Sequence, residues 1–229
     1  SCTPHFARPV IPHILPPMRI CHIIWDFDGT IVDTYPNIAK AFVSVCRDRF
    51  GTTVEYEDAY SLAKVSLRVS YEELAAACET PPEEMRTAFT ERYRERTIGV
   101  GEPVFNGVVE VMRLVKSSGG MNLLVTHRER QSLDKYGSFG GGRELLNDIV
   151  AGGEGFPDKP DPAAFTHLMT KHGLARRDTV GVGDRALDVG AARAAGIPAC
   201  YFDPEGLSLT DADCHFRDYT ELLAWVRDR

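Results

Sequence analysis

The chain has 229 residues, of which 43% are hydrophobic and 26% are charged, as is ordinary for a globular protein with one substantial core and a smaller second lobe. Its formal net charge of −7 argues against nucleic-acid binding, because phosphate contacts need clustered Lys and Arg. No apolar run approaches the length that spans a membrane, so we expect neither a nucleic-acid nor a membrane partner.

Cysteine and proline usage give two further expectations. The six cysteines are scattered, without CxxC pairs or Cys/His ligand spacing, which favours a reduced, cytoplasmic compartment. Residues 1–18 form a proline-rich leader with no helical periodicity, and the pattern assigns it no role.

The first predicted strand leads into the most informative stretch of the chain. An apolar run over residues 20–25 is followed at once by Asp26-Phe27-Asp28-Gly29-Thr30. Alternation would place the two carboxylates on one side of the strand tip, where ligands of open α/β sheets bind. Such a pair can divide its work between nucleophilic attack and proton transfer. Taken alone, the motif also fits a plain strand end followed by an Asp-Gly turn.

The next section of the chain has a helical pattern only. Helices are predicted after Asp33 and over residues 56–63, 71–78 and 82–96. Glycine and proline clusters at 34–36 and 99–103 suit a pair of hinges. We therefore interpret residues 34–102 as an inserted all-helical cap.

From residue 103 onward, helices and strands alternate. Strands are predicted at 122–126, 148–151, 179–182 and 199–202, and helices at 107–116, 128–135, 162–172, 186–195 and 219–227. This alternation indicates an α/β, doubly wound parallel sheet, built from residues 19–33 and 103–229.

Three more motifs lie at or near predicted strand ends. Leu123-Leu124-Val125 runs into Thr126, Lys159 stands between Asp158 and Pro160, and residues 179–183 lead into Asp184-Arg185-Ala186-Leu187-Asp188. With the first motif, these resemble in order and character the four motifs of the haloacid dehalogenase-like hydrolase superfamily. The resemblance runs from Arg19 nearly to the C-terminus and implies a Rossmann-like core.

The resemblance implies phosphoryl-transfer chemistry with Mg²⁺ as the cofactor. Asp26 would be the nucleophile that forms an aspartyl-phosphate, and Asp28 the acid and base. The metal would be held by the Asp26 carboxylate, the Asp28 backbone carbonyl and the Asp184 carboxylate. Asp188, expected one turn along the same helix face as Asp184, would order a metal-bound water. A helix N-cap with an exposed helix charge is the alternative for Asp184 and Asp188.

Thr126 and Lys159 are predicted to bind the phosphoryl oxygens, and Lys159 also to neutralise Asp26. A solvated loop charge is the alternative for Lys159, although flanking prolines stiffen its loop. His127 stands where many members of the superfamily have asparagine; a substrate contact and a structural role are both open. Arg128 and Arg185 add positive charge beside the motifs.

These residues predict a phosphoric monoester hydrolase that resembles the phosphoglycolate phosphatase-like branch and acts on a small phosphorylated metabolite. The cap would set the substrate, through a polar stretch that includes Lys64, Ser66 and Arg68. An ordinary solvated connection between helices is the alternative for that stretch, and the pattern slightly favours it. Phosphoglycolate, a sugar phosphate, a nucleoside monophosphate and pyrophosphate all stay open.

Two other functions remain as alternatives. A phosphomutase of the β-phosphoglucomutase type fits less well, because that group often has valine where this chain has Thr30. A non-catalytic binding protein is disfavoured, since every polar group that the mechanism needs is present. The sequence does not predict an oligomeric state.

Overall fold

A six-stranded parallel sheet forms the centre of the molecule. The computed structural model describes residues 21–97, 101–207 and 210–227. Its strands are β1 (His22–Trp25), β2 (Asn122–Glu129), β3 (Leu146–Gly152), β4 (Thr179–Gly183), β5 (Ala199–Phe202) and β6 (Cys214–Phe216). All neighbouring strands are parallel, in the order β3-β2-β1-β4-β5-β6. The strand order reverses at β1, which is where ligands bind in such sheets. The predicted doubly wound α/β fold is confirmed.

The helices fall into two groups along the chain. Between β1 and β2 lie α1 (Tyr35–Phe50), α2 (Tyr56–Val65), α3 (Leu67–Ala77), α4 (Pro82–Thr97) and α5 (Val108–Ser117). The later helices are α6 (Arg130–Asp134), α7 (Ala163–His172), α8 (Ala186–Ala194) and α9 (Tyr219–Arg227). Short 3₁₀ turns occur at Phe139–Gly141, Arg143–Leu145 and Arg176–Asp178.

The sheet is buried on both faces, which explains the continuous apolar run of β1. Ile23 and Trp25 pack into the core with α5 and α9, whereas Ile24 packs on the opposite face with α7 and α8. All three side chains are 0% exposed. Trp25 Nε1 also donates to the Asn122 side chain at 3.0 Å, so the buried indole N–H is satisfied. This packing fixes the strand that carries the first motif.

Helices α1 to α4 form a bundle with an apolar core of its own. Phe42 of α1 stacks on Phe89 of α4 with ring centroids 4.1 Å apart. The bundle comprises the four helices expected in the cap, and the domain boundaries at 34 and 102 stay a prediction. One helix start was predicted too late: α3 begins at residue 67 rather than 71, because Ser66 accepts a hydrogen bond from the Val69 N–H at 3.1 Å and caps the helix.

Two strand predictions also need correction. Strand β2 does not end at Thr126; it continues to Glu129 through a register irregularity after Val125. Strand β6 was not predicted, because three residues are too few to display alternation. The leader at 1–18 and residues 99 and 100 of the second hinge lie outside the described residues. Within those residues, no helix is both long enough and apolar enough to cross a membrane.

Candidate active site

The carboxyl ends of β1, β2 and β4 bring the predicted site residues together. Asp26 follows β1, and its backbone N–H donates to Val182 O of β4 at 2.9 Å. Thr126 lies within β2, and Asp184 directly follows β4. All three side chains are buried. The site therefore lies at the carboxyl ends of the strands, where the strand order of the sheet reverses.

Three carboxylates meet in this buried space. Asp26, Asp184 and Asp188 each contribute an oxygen that lies within 4.8 Å of the other two. Lys159 is the buried cation among them: its Nζ lies 2.5 Å from Asp26 Oδ1 and 2.5 Å from Asp188 Oδ1. With only 5% of the residue exposed, Lys159 is not a solvated loop charge. We name these four residues the carboxylate cluster.

The cluster fits a divalent cation. Asp26 Oδ2 is buried and accepts no hydrogen bond from the residues that the structure describes. A buried carboxylate oxygen without a donor is costly unless a cation compensates it. Oxygen ligands from a few carboxylates and a backbone carbonyl are the set that Mg²⁺ prefers. The donor set present is thus compatible with the predicted Mg²⁺ site.

Burial and mutual repulsion perturb the acids of the cluster. Burial raises the pKa of Asp26 to about 6, against the opposing charge of Lys159. Burial likewise raises the pKa of Asp184 to about 7; the Arg185 charge opposes this shift, and the charges of Asp26 and Asp188 add to it. The pKa of Lys159 is raised in spite of burial, because Asp188 and Asp26 stabilise its charged form. Such shifts are typical of functional sites, although structural ion pairs also produce them.

Asp188 does not lie on the same helix face as Asp184, contrary to the sequence prediction. Helix α8 begins at Ala186, so Asp184 precedes the helix and Arg185 is its N-cap residue. Asp188 Oδ2 accepts the Arg185 N–H at 3.0 Å, while its other oxygen pairs with Lys159. Asp188 is thus a buried capping residue whose side chain also belongs to the cluster, and not an exposed helix charge.

Asp184 has two hydroxyl partners that the motifs did not reveal. Thr30 Oγ1 donates to Asp184 Oδ1 at 3.0 Å, and the Tyr35 hydroxyl donates to Asp184 Oδ2 at 2.9 Å. Thr30 belongs to the first motif, but Tyr35 is the first residue of helix α1. No local signal distinguishes this tyrosine from a residue of the bundle core.

Asp28 is held by an arginine rather than by the cluster. Arg128 Nε donates to Asp28 Oδ2 at 3.1 Å, and its NH2 group contacts Oδ1. The guanidinium carbon also lies 4.9 Å from the centroid of the Tyr136 ring and 5.8 Å from that of the Tyr93 ring. Burial alone would raise the pKa of Asp28, but pairing with Arg128 holds it below its usual value. The sequence predicted a general contribution of Arg128 to the positive field and missed this direct pair.

His127 positions the backbone of the lysine loop. Its Nε2 accepts the Lys159 N–H at 2.9 Å. Burial is the largest cause that lowers the His127 pKa to about 4, and the nearby charges of Lys159 and Arg185 lower it as well. A neutral ring at physiological pH agrees with its accepting role. These contacts favour the structural alternative for His127.

The three predicted substrate residues of the bundle have other contacts. Lys64 Nζ lies 2.7 Å from Glu205 Oε2 on the sheet side of the molecule. Ser66 caps α3, and the exposed Arg68 pairs with Glu72 on the same helix at 2.9 Å. The partners in these contacts, Glu205, Val69 and Glu72, do not belong to the carboxylate cluster. The substrate role of Lys64, Ser66 and Arg68 stays a prediction.

Comparisons with known proteins agree with the geometry. The family model described as haloacid dehalogenase-like hydrolase matches residues 23–202. A phosphoglycolate phosphatase of Cupriavidus necator is 29% identical over 202 residues, covering 83% of this chain and 86% of that protein. One of Photobacterium profundum is 28% identical over 222 residues, covering 90% and 95%. The crystal structure of a hydrolase from Streptococcus pneumoniae TIGR4 matches with a TM-score of 0.61 and 26% identity, over 81% of this chain and 94% of that one.

Proposed function

Because the chain belongs to the haloacid dehalogenase-like hydrolase family, we propose that it hydrolyses a small phosphomonoester, with Mg²⁺, through an aspartyl-phosphate on Asp26. Its curated relatives are phosphatases, and the chain is an enzyme of that class. The observation that supports the finer proposal is the carboxylate cluster, in which Lys159 holds one oxygen of Asp26 while the other has no donor among the residues that the structure describes.

The two acids of the first motif would divide the reaction. Asp26 attacks phosphorus through one of its carboxylate oxygens, so that a bond from Asp26 to phosphorus forms while the bond to the leaving oxygen breaks. Asp28 is ionised while it pairs with Arg128, so it takes up a proton when the substrate replaces that pair and then gives this proton to the leaving oxygen. It later takes a proton from the water that hydrolyses the aspartyl-phosphate. Asp28 must first exchange its Arg128 pair for the substrate.

Two residues would bind the transferring group. Thr126 Oγ1 already accepts the Arg128 N–H at 3.1 Å, which leaves its O–H hydrogen for a phosphoryl oxygen. Lys159 supplies a positive charge beside the nucleophile. When bound by Asp26, the Asp28 carbonyl and Asp184, Mg²⁺ would neutralise phosphate charge and polarise the phosphorus.

The relatives make phosphoglycolate the first substrate to test, since both curated proteins carry that name. A helical bundle beside the site suits a small metabolite better than a macromolecule. We extend the proposal to a cytoplasmic location and to no nucleic-acid partner, on the basis of the cysteine pattern and the net charge of −7.

The test is phosphate release from phosphoglycolate, a sugar phosphate, a nucleoside monophosphate and pyrophosphate, with and without Mg²⁺. We expect Mg²⁺-dependent release that falls at least about 1,000-fold in Asp26→Asn. The matched control is Asp158→Asn, a loop carboxylate whose side chain is 83% exposed, which should retain full activity.

Three results would contradict the proposal. Release that survives in Asp26→Asn would exclude the aspartyl-phosphate route. Phosphate release without Mg²⁺ would exclude Mg²⁺ as a required cofactor. If the protein isomerises a sugar phosphate only when a sugar bisphosphate is present, and releases little phosphate, the function is that of a phosphomutase and not of a phosphatase.

A further inference from the structure

Tyr35 reaches from the helical bundle into the site. Its hydroxyl donates to Asp184 Oδ2 at 2.9 Å and lies 3.4 Å from the backbone oxygen of Asp28. Both groups belong to the proposed metal-ligand set. A single hydroxyl at the start of α1 therefore contacts two of the three ligand groups.

The approach of Tyr35 is closely fitted. Gly29 has a φ of 77°, and a Cβ at this position would lie 2.1 Å from Tyr35 Cε2 and 2.6 Å from Asp184 Oδ2. Any side chain at residue 29 would thus displace the ring or the carboxylate. The glycine of the first motif allows the chain to turn and also leaves room for this hydrogen bond.

The remaining contacts hold the ring and the carboxylate in place. Tyr35 is 4% exposed, and its ring packs edge-on against Tyr60 with centroids 6.1 Å apart. Thr30 holds the other oxygen of Asp184 at 3.0 Å. Each carboxylate oxygen has two acceptor positions, so these hydrogen bonds leave lone pairs of Asp184 available to a cation.

We propose that Tyr35 is a positioning residue for the Mg²⁺ site, which orients the Asp184 carboxylate through its hydroxyl. The inference rests on the proposed function, because it takes Asp184 as a metal ligand. Hydrogen-bond partners of metal ligands fix the ligand orientation, and their loss typically weakens metal binding about 10- to 100-fold.

The test is calorimetric titration of Mg²⁺ alone into Tyr35→Phe, which removes the hydroxyl and keeps the ring. We expect a dissociation constant about 10- to 100-fold higher than in the wild type. Tyr60→Phe is the matched control: its hydroxyl donates at 2.7 Å to Glu205, outside the cluster, and its Mg²⁺ affinity should stay at the wild-type value. Circular dichroism in the absence of metal checks that both variants are folded.

A second measurement distinguishes a positioning role of Tyr35 from a general loss of structure in the variant. Phosphate release by Tyr35→Phe should recover as Mg²⁺ is raised, so that the half-saturating Mg²⁺ concentration shifts while kcat is retained. Equal Mg²⁺ affinity in Tyr35→Phe and wild type would overturn the inference and leave the proposed function intact. Wild-type protein that binds no Mg²⁺ would instead overturn the proposed metal, and the inference with it.

Discussion

The two oxygens of the Asp26 carboxylate have different surroundings. Oδ1 lies 2.5 Å from Lys159 Nζ, whereas Oδ2 is buried without a donor among the described residues. A salt bridge to one oxygen favours the charged form of the carboxylate, and the other oxygen is open to a cation. The same lysine also pairs with Asp188, so one buried cation serves two acids. Asp184 has no such ion pair with Lys159; the Arg185 charge and the hydroxyls of Thr30 and Tyr35 stabilise it instead.

The pH dependence of stability tests this account of Asp184. Because burial raises the pKa of Asp184 from 3.8 to about 7, the folded protein binds this proton more tightly than the unfolded chain does. Its contribution to stability is complete below pH 3.8 and is lost as the pH rises towards 7. Asp184→Asn should therefore stabilise the metal-free protein against unfolding by about 1–3 kcal/mol at pH 8.

The measurement is urea unfolding of both proteins with a chelator present, at pH 8 and pH 4. At pH 4 the two free energies of unfolding should nearly coincide, since Asp184 is then protonated in the folded state. A stability difference that is the same at both pH values would show that the carboxylate does not titrate as described. Asp158→Asn, whose carboxylate is exposed, should show no such pH-dependent gain.

Among the secondary-structure elements, β2 shows how a site is built from an irregular strand. The sequence predicted that the strand ends at Thr126 and that a helix begins at residue 128, yet the backbone stays paired with β3 up to Glu129 opposite Gly152, and the helix begins at Arg130. A Cβ at Gly152 would lie 2.1 Å from His127 O, so only glycine permits this close approach. Beyond this irregularity, His127 contacts the Lys159 backbone and the Arg128 side chain contacts Asp28, while Thr126 accepts the Arg128 N–H.

Helix α3 provides a test of the predicted substrate stretch. Ser66 caps this helix by accepting the Val69 N–H at 3.1 Å. Ser66→Ala should lower the free energy of unfolding by about 1 kcal/mol, and Ser66→Asp should preserve most of it, because aspartate is an equally good N-cap.

Substrate kinetics then distinguish the two roles of Ser66. If the residue only caps the helix, KM in both variants stays at the wild-type value. A raised KM in Ser66→Asp, with stability retained, would instead assign Ser66 to substrate binding.

At the scale of the whole molecule, the apolar core divides into separate parts. The sheet has one buried cluster on each face, and the bundle of α1 to α4 has its own. Lys64 and the Tyr60 hydroxyl, both of α2, connect the bundle to Glu205 at 2.7 Å each. The Tyr35 hydroxyl on Asp184 and the Tyr93 hydroxyl beside the Tyr136 hydroxyl also join the bundle to the sheet. Polar contacts of this kind contribute about 0.5–1.5 kcal/mol each, which is little compared with the apolar burial within the bundle or the sheet.

We therefore expect the bundle to open as a unit below the global unfolding free energy. Native-state hydrogen exchange should give lower opening free energies for amides of α1 to α4 than for those of β1 and β4. Glu205→Gln should increase exchange in α2 and leave β1 unchanged. Equal opening free energies in the bundle and the sheet would contradict this division.

The amino-acid sequence by itself determined the fold class and where the chemistry-bearing residues lie. The apolar run of β1 and the alternation of later elements are local patterns, and they predicted a doubly wound sheet with acids at its strand ends. Asp26, Thr126 and Asp184 were found because each stands next to such a pattern, whereas Lys159 was found because the four motifs resemble those of the family in order. Their proposed roles rest on the family and await the experiments above.

Only the tertiary structure decided the partners of those residues. The Tyr35 hydroxyl on Asp184, the Arg128 pair of Asp28 and the His127 support of Lys159 join residues that are 149, 100 and 32 positions apart in the chain. No periodicity encodes such contacts, because they depend on strand order and on how the bundle packs against the sheet. Local propensity determined the elements of this protein, whereas packing determined which oxygen receives which hydrogen bond.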